Sequence, residues 1–149
     1  MIHKKIQNAL TGGINPRIFN NGKNKLAAVL IIIYGDKPEI LMTKKPITLM
    51  HHGGEISFPG GKISDIDDDL LDTALRETKE ETGLGILRDD VVGQLKQVIT
   101  LNSGFTTFTF GVFISNKLAL DSFFETSVQD NNVKDNMHIN SFVFIISEF

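Results

Sequence analysis

Residues 60–84 read GGKISDIDDDLLDTALRETKEETGL, and the fold and chemistry of the chain turn on this stretch. Its second half predicts a helix: residues 74–81 contain neither Gly nor Pro, and most are good helix formers. Gly83 stands where a left-handed residue commonly stops a helix. Asp67, Asp68 and Asp69 stand at the entry, where carboxylates cap free N–H groups and suit the helix dipole. Residues three and four apart share a helix face, so Glu77, Glu80 and Glu81 project together. Three clustered carboxylates repel one another unless a positive group sits between them. Arg76 is one candidate, reaching Glu80 at i,i+4, and a divalent cation is the other. All-oxygen ligands suit a hard ion, Mg²⁺ or Mn²⁺, rather than zinc. A solvated acidic helix face is the plainer alternative.

The stretch resembles the signature of the Nudix hydrolases: Gly, five residues, Glu, seven residues, then Arg-Glu-apolar-x-Glu-Glu-x-Gly-apolar. Residues 76–84 match its distal half, with Thr78 in the apolar slot. The proximal half departs twice. Asp67 stands in place of the Glu, and eight residues separate it from Arg76. That extension and the Asp look like the coenzyme A pyrophosphatase branch, with its FPGGK and TALRE segments, here residues 58–62 and 73–77.

The resemblance implies an α/β fold, a Nudix-type α/β/α sandwich around a mixed β-sheet. It implies that Glu77 and Glu81 form the core pair of metal ligands, and that Glu80 adds a ligand or takes the proton from the attacking water. Arg76 orients a glutamate, with Glu80 the expected partner. Asp67 supports the site rather than binding metal, and Gly61 offers a backbone carbonyl to Mg²⁺ or Mn²⁺. The implied reaction is metal-dependent hydrolysis of a nucleoside diphosphate-linked compound. Coenzyme A or acyl-CoA is the first substrate, with 3′-phospho-ADP and (acyl-)phosphopantetheine as the expected products. ADP-ribose, dinucleotides and nucleoside triphosphates are the alternatives, as is a weakly catalytic nucleotide-binding module.

Upstream, residues 26–34 (LAAVLIIIY) form a nearly unbroken apolar run that predicts a central strand buried on both faces. Residues 39–44 (EILMTK) predict a second strand, paired to it as a hairpin. Residues 45–54 follow, and with Lys44 they supply several cationic or titratable donors just ahead of the acidic helix. Lys44, Lys45, His52, Gly54, Phe58 and Gly60 are the candidate substrate contacts, with His51 beside them. Any one of these is as readily a solvated loop residue. The branch carries an arginine-bearing motif here, and this chain keeps its frame with Lys45, Pro46 and Met50 at the variable places. Lysine keeps the charge but loses the bidentate fork, and methionine loses both. Residues 55–58 predict a short strand, and Gly60-Gly61 a tight turn with close backbone approach to a ligand.

Downstream, a strand is expected within 91–101, centred on 95–101, then a turn at 102–104 and a strong aromatic and β-branched strand at 105–114. Its aromatics are read as core. Residues 116–136 are polar and contain Asp121 and Glu125, and 139–146 predict a last strand. The family places another helix after this strand, whereas the chain stops at Phe149, so either that helix is absent or the chain is truncated.

With 149 residues, one domain is expected over 1–149: an N-terminal helix and loop in 1–25, and the catalytic core in 26–149. Hydrophobic content of 41% and charged content of 22% are ordinary for a folded globular chain. A net charge of −3 without a Lys/Arg block disfavours nucleic acid and favours a small nucleotide-type substrate. There is no cysteine, and so neither a disulfide framework nor a thiol nucleophile. No apolar run suits a membrane span and the N-terminus lacks a signal-peptide core, so a cytoplasmic location is expected.

Overall fold

The structure, a computed structural model, describes residues 4–5, 8, 13–17, 25–35, 38–45, 47, 50, 53–100, 104–114 and the backbone of 142–146. The strands are β1 (Lys25–Tyr34), β2 (Glu39–Lys44), β3 (Ile56–Ser57), β4 (Gly60–Lys62), β5 (Val91–Gln94), β6 (Val98–Ile99), β7 (Phe105–Ile114) and β8 (Phe142–Ile146). Helix α1 (Leu70–Thr82) lies between β4 and β5, and a 3-10 turn (Arg88–Asp90) leads into β5.

The strands form one mixed sheet with the path β3-β2-β1-β7-β5. β1 and β7 run parallel, paired from Lys25↔Phe105 to Tyr34↔Ile114. The other edge of β1 is divided. Its C-terminal end pairs antiparallel with β2, as the expected hairpin, while Ala27–Val29 pairs antiparallel with β4. Segment 56–62 thus leaves β2 as β3 and reaches β1 as β4, filling the gap where β1 and β2 part. β8 pairs antiparallel with β2 from Ile40↔Ile146 to Lys44↔Phe142.

Period-2 alternation sets which face of β1 is buried. Leu26, Ala28, Leu30, Ile32 and Tyr34 are buried, together with Phe108, Phe110 and Val112 from β7. Leu70, Leu71 and Ala74 of α1 pack into the same cluster, so the helix covers this face. Each fully buried Leu, Ile or Phe here stabilises the fold by about 1.5–3 kcal/mol. The opposite face of β1 is less enclosed than the apolar run predicts, because Ala27, Val29 and Ile31 are only half-buried.

Helix α1 begins where expected. Asp69 is its N-cap, its Oδ1 accepting from the N–H groups of Leu71 (2.8 Å) and Asp72 (2.9 Å). It ends at Gly83, whose φ of 79° is the left-handed conformation that lets its N–H reach the Lys79 carbonyl. Thr78, in the slot where the signature prefers an apolar residue, is fully buried, and its hydroxyl donates to the Ala74 carbonyl at 2.7 Å. Bonding back to its own helix lets a polar side chain occupy that slot.

Two expectations need correction. Gly60-Gly61 is not a tight turn but the start of β4. The expected strand at 95–101 is instead β5, ending at Gln94, and the two-residue β6, both paired antiparallel to β7. Among the described residues, α1 is the helix layered on the sheet, and no second layer from a C-terminal helix is present. Of the N-terminal segment, Lys4, Lys5 and Asn8 are helical. His51, His52, Pro46 and the acidic residues Asp121 and Glu125 lie outside the described residues. No helix among the described residues is long and apolar enough to cross a membrane.

Candidate active site

The acidic face of α1 lies over β4, and two glycines let it come close. Gly60 has φ 154°, and a Cβ there would run into the Ala28 carbonyl and Val29 of the neighbouring strand. A Cβ on Gly61 would lie 2.5–2.8 Å from the carboxylate of Glu77. The glycine pair therefore serves two close approaches, one to β1 and one to the helix. Glu81 completes the contact, its Oε2 accepting from the Gly60 N–H at 3.1 Å. Glu77 and Glu81 thus meet on Gly60-Gly61.

Glu80 does not join them there. Its side chain is 59% exposed and lies 3.3 Å from the guanidinium of Arg76. The Arg76–Glu80 pair expected at i,i+4 is present, but it is the longest bond Arg76 makes to a carboxylate. Arg76 Nε and Nη2 donate to Asp67 at 2.8 and 2.9 Å, and Nη1 donates to Glu77 Oε1 at 2.8 Å. Its Nη2 also reaches the Lys62 carbonyl at 3.2 Å. The principal partners of Arg76 are therefore Asp67 and Glu77. A planar fork chooses partners that can accept two parallel bonds, and Asp67 presents both of its oxygens.

Asp67 is held on all sides. Besides Arg76, its Oδ2 accepts from the Ser64 N–H and the Thr73 hydroxyl, each at 2.9 Å. Its side chain is only 2% exposed. The bonds from Arg76 lower its pKa from the ordinary 3.8 to about 2, against the upward push of burial, with Ser64 and Thr73 helping. Both oxygens are occupied by donors, in keeping with a supporting role. Ser64 was not anticipated from the sequence. Thr73 lies in the TALRE segment, so its spacing was a usable signal.

Glu81 is shifted the opposite way. Burial pushes its carboxyl up, and the like charges of Glu77 and Glu80 push further, against the Gly60 N–H and the Lys45 ammonium. Lys45 thus bears electrostatically on the acidic face. The loop after it is closed at its base by Lys45 N–H donating to Glu55 O (3.0 Å) and Gly54 N–H to Lys45 O (2.9 Å). Lys44 ends β2, opposite Ile56 of β3. Phe58 is half-buried, and Met50 is 93% exposed. His52 lies outside the described residues.

Among the described residues, no three His, Cys, Asp or Glu side chains converge closely enough to cage a metal ion. The donor set nonetheless fits a hard divalent cation. Two carboxylates converge on one backbone segment and a third lies one residue from Glu81. Burial first, and then repulsion from Glu77 and Glu80, raises the Glu81 carboxyl. A cation relieves that repulsion, and all-oxygen donors match Mg²⁺ or Mn²⁺.

A mixed sheet carrying a helix whose carboxylates face a glycine-bearing strand defines an α/β domain with an acidic site. The chain belongs to the Nudix family: the NUDIX domain model matches residues 24–141. A curated relative, the uncharacterized Nudix hydrolase NudL of Cronobacter sakazakii, is 34% identical over 101 residues, covering 66% of this chain and 53% of its own length. The chain spans about half the length of the curated relatives it matches. A MutT/nudix family protein from Enterococcus faecalis is similar in structure, with a TM-score of 0.54 at 19% identity, covering 76% of this chain and 44% of that one. So is the NUDIX domain of Shewanella oneidensis NrtR, solved with ADP ribose, with a TM-score of 0.53 at 20% identity and coverage of 70% and 68%.

Proposed function

We propose that this chain is a metal-dependent diphosphatase that hydrolyses the phosphoanhydride of coenzyme A or an acyl-CoA. The observation that carries this reading is the meeting of Glu77 and Glu81 on Gly60-Gly61, with Arg76 locking Glu77 in place. Glu77, Glu80, Glu81 and the Gly61 carbonyl are the groups that would hold Mg²⁺ or Mn²⁺. When bound, the ion neutralises phosphate oxygens and activates a water. The protein's own part is positional. Helical spacing fixes the carboxylates on a rigid element, and β4 brings the backbone to them. Arg76 orients the Glu77 carboxylate through its Nη1 bond to Oε1. Glu80, exposed and loosely held, is free to turn toward a proton of the attacking water. Lys45 adds positive charge beside the site, where substrate phosphates need it.

Phosphorus balance fixes the products. A single P–O–P bridge is cut and each product keeps one of its two phosphorus atoms. Coenzyme A therefore yields adenosine 3′,5′-bisphosphate and phosphopantetheine, and the nucleotide product is not 3′-phospho-ADP.

A second reading keeps the chemistry and changes the substrate to ADP-ribose, a dinucleotide or a nucleoside triphosphate. It is favoured by Met50, exposed at a position where the coenzyme A branch carries Arg. Product analysis separates the two. Purified protein with Mg²⁺ or Mn²⁺ is given coenzyme A, ADP-ribose, diadenosine polyphosphates and nucleoside triphosphates. Adenosine 3′,5′-bisphosphate with phosphopantetheine is the expected outcome. Turnover of another compound alone would replace the substrate, and no turnover by folded protein would favour a binding module.

A further inference from the structure

Lys25, Lys62 and Phe105 meet on the sheet face opposite α1, at the end where β1 begins. The register puts them there. Lys25 pairs with Phe105 across β1 and β7, and Lys62 pairs with Ala27 across β4 and β1. Side chains alternate along strands, so Lys25 and Ala27 share a face and bring both neighbours with them. The Lys25 ammonium lies 6.0 Å from the Phe105 ring centroid and the Lys62 ammonium 5.4 Å from it. Both lysines are exposed, and among the described residues neither is joined to a carboxylate.

One ring attracts one cation. A second ammonium brought to the same ring repels the first, and no described anion offsets that repulsion. An anion lying between the two ammonium groups would satisfy both. Lys62 is also tied to the active site. It follows Gly61, which abuts Glu77, and its carbonyl accepts from Arg76 Nη2. One strand residue advances about 3.3 Å. The lysine pair therefore lies within a few residues' length of the carboxylates, on the far side of β4.

We infer that Lys25 and Lys62, over Phe105, form a subsite for a phosphomonoester on the nucleotide half of the substrate. This rests on the proposed diphosphatase function and deepens it: the group bound is the ribose phosphate that distinguishes coenzyme A from its dephospho form. Point-charge ammonium groups suit a phosphate dianion, which carries more charge than either bridging phosphate.

Two measurements test this independently. In the first, binding of adenosine 3′,5′-bisphosphate and of AMP is titrated calorimetrically on the intact chain and on a Lys25→Ala, Lys62→Ala double variant. The wild type is expected to favour the bisphosphate by about tenfold or more, as charge-assisted contacts do. The double variant is expected to lose most of that preference. No preference in the wild type, or a preference kept in the variant, would overturn the subsite. In the second, kcat/KM for coenzyme A is compared with that for dephospho-coenzyme A, with the ratio expected to fall toward one in the double variant through KM rather than kcat. Turnover of both compounds with equal efficiency by the wild type would remove the subsite and leave the diphosphatase standing. Tight bisphosphate binding without turnover of either compound would do the reverse. A bisphosphate preference matched by equally tight binding of inorganic phosphate would overturn the assignment to substrate.

Discussion

Helix α1 carries two arginine–aspartate knots built from the same chemistry, and they differ in what surrounds them. At the acidic face, Arg76 grips Asp67, which is 2% exposed and takes further bonds from Ser64 and Thr73. At the N-terminus, Arg88 of the 3-10 turn pairs with Asp69 at 2.7 Å and with Asp72, and its own side chain is 45% exposed. Burial pushes the Asp69 carboxyl up, yet Arg88 and the N–H groups of Asp72 and Leu71 leave it below its ordinary range. Exposed ion pairs contribute about 0–1 kcal/mol, because water competes for both partners. Breaking a buried pair costs about 3–5 kcal/mol, since the remaining charge is left without solvent or partner. The first knot therefore sets the geometry of the site, whereas the second mainly fastens the helix entry.

The largest expected effect is on the buried knot. Asp67→Ala should destabilise the chain by about 3 kcal/mol, read as a lowered midpoint in urea, and should reduce turnover by releasing Arg76 from Glu77. A loss below about 1 kcal/mol would erase the distinction between the two knots. Next comes pH. The folded pKa of Asp67 lies below its unfolded value, so its contribution is present above 3.8 and lost as pH falls toward about 2. That shift amounts to about 2 kcal/mol, and Asp67→Asn should remove this part of the acid dependence. An unchanged acid profile in that variant would assign the loss to other groups. The smallest effect is expected at the exposed knot. Arg88→Ala should cost about 1 kcal/mol or less, with most of it screened by 1 M salt. A loss as large as that of Asp67→Ala would mean that the helix entry, not the site, carries the stability.

Much of this arrangement was legible from residues close together in the chain. The bounds of β2 and β7, an acidic cap within Asp67–Asp69 and the stop at Gly83 follow from local pattern, and the shared face of Glu77 and Glu81 follows from helical spacing, whereas Glu80, expected beside them, is exposed and turned to Arg76. What local pattern could not supply was pairing. Gly60-Gly61 suggests a turn because turns and close approaches both require glycine, and only the register against β1 shows the second use. Gln94 and Leu95 could not be assigned to a strand edge without knowing where β7 lies. Arg76 meets three acidic residues, Asp67, Glu77 and Glu80, and its choice of Asp67 depends on how residues 62–67 fold back over the helix. Phe105 reads as core in an aromatic strand, yet it is half-buried beneath two lysines brought from β1 and β4.

Under the proposed function, the carboxylates over Gly60-Gly61 serve chemistry at a cost to stability, and Glu81→Gln separates the two. The Glu81 carboxyl is raised by burial and by Glu77 and Glu80. Its charged form is therefore unfavourable in the fold: stability is greatest below its unfolded pKa and is lost as pH rises through the folded one. A neutral glutamine removes that penalty. The Glu81→Gln variant is expected to be at least as stable as the wild type at neutral pH, with turnover reduced about 100-fold or more. Turnover within a few-fold of wild type, or marked destabilisation alongside its loss, would contradict this expectation.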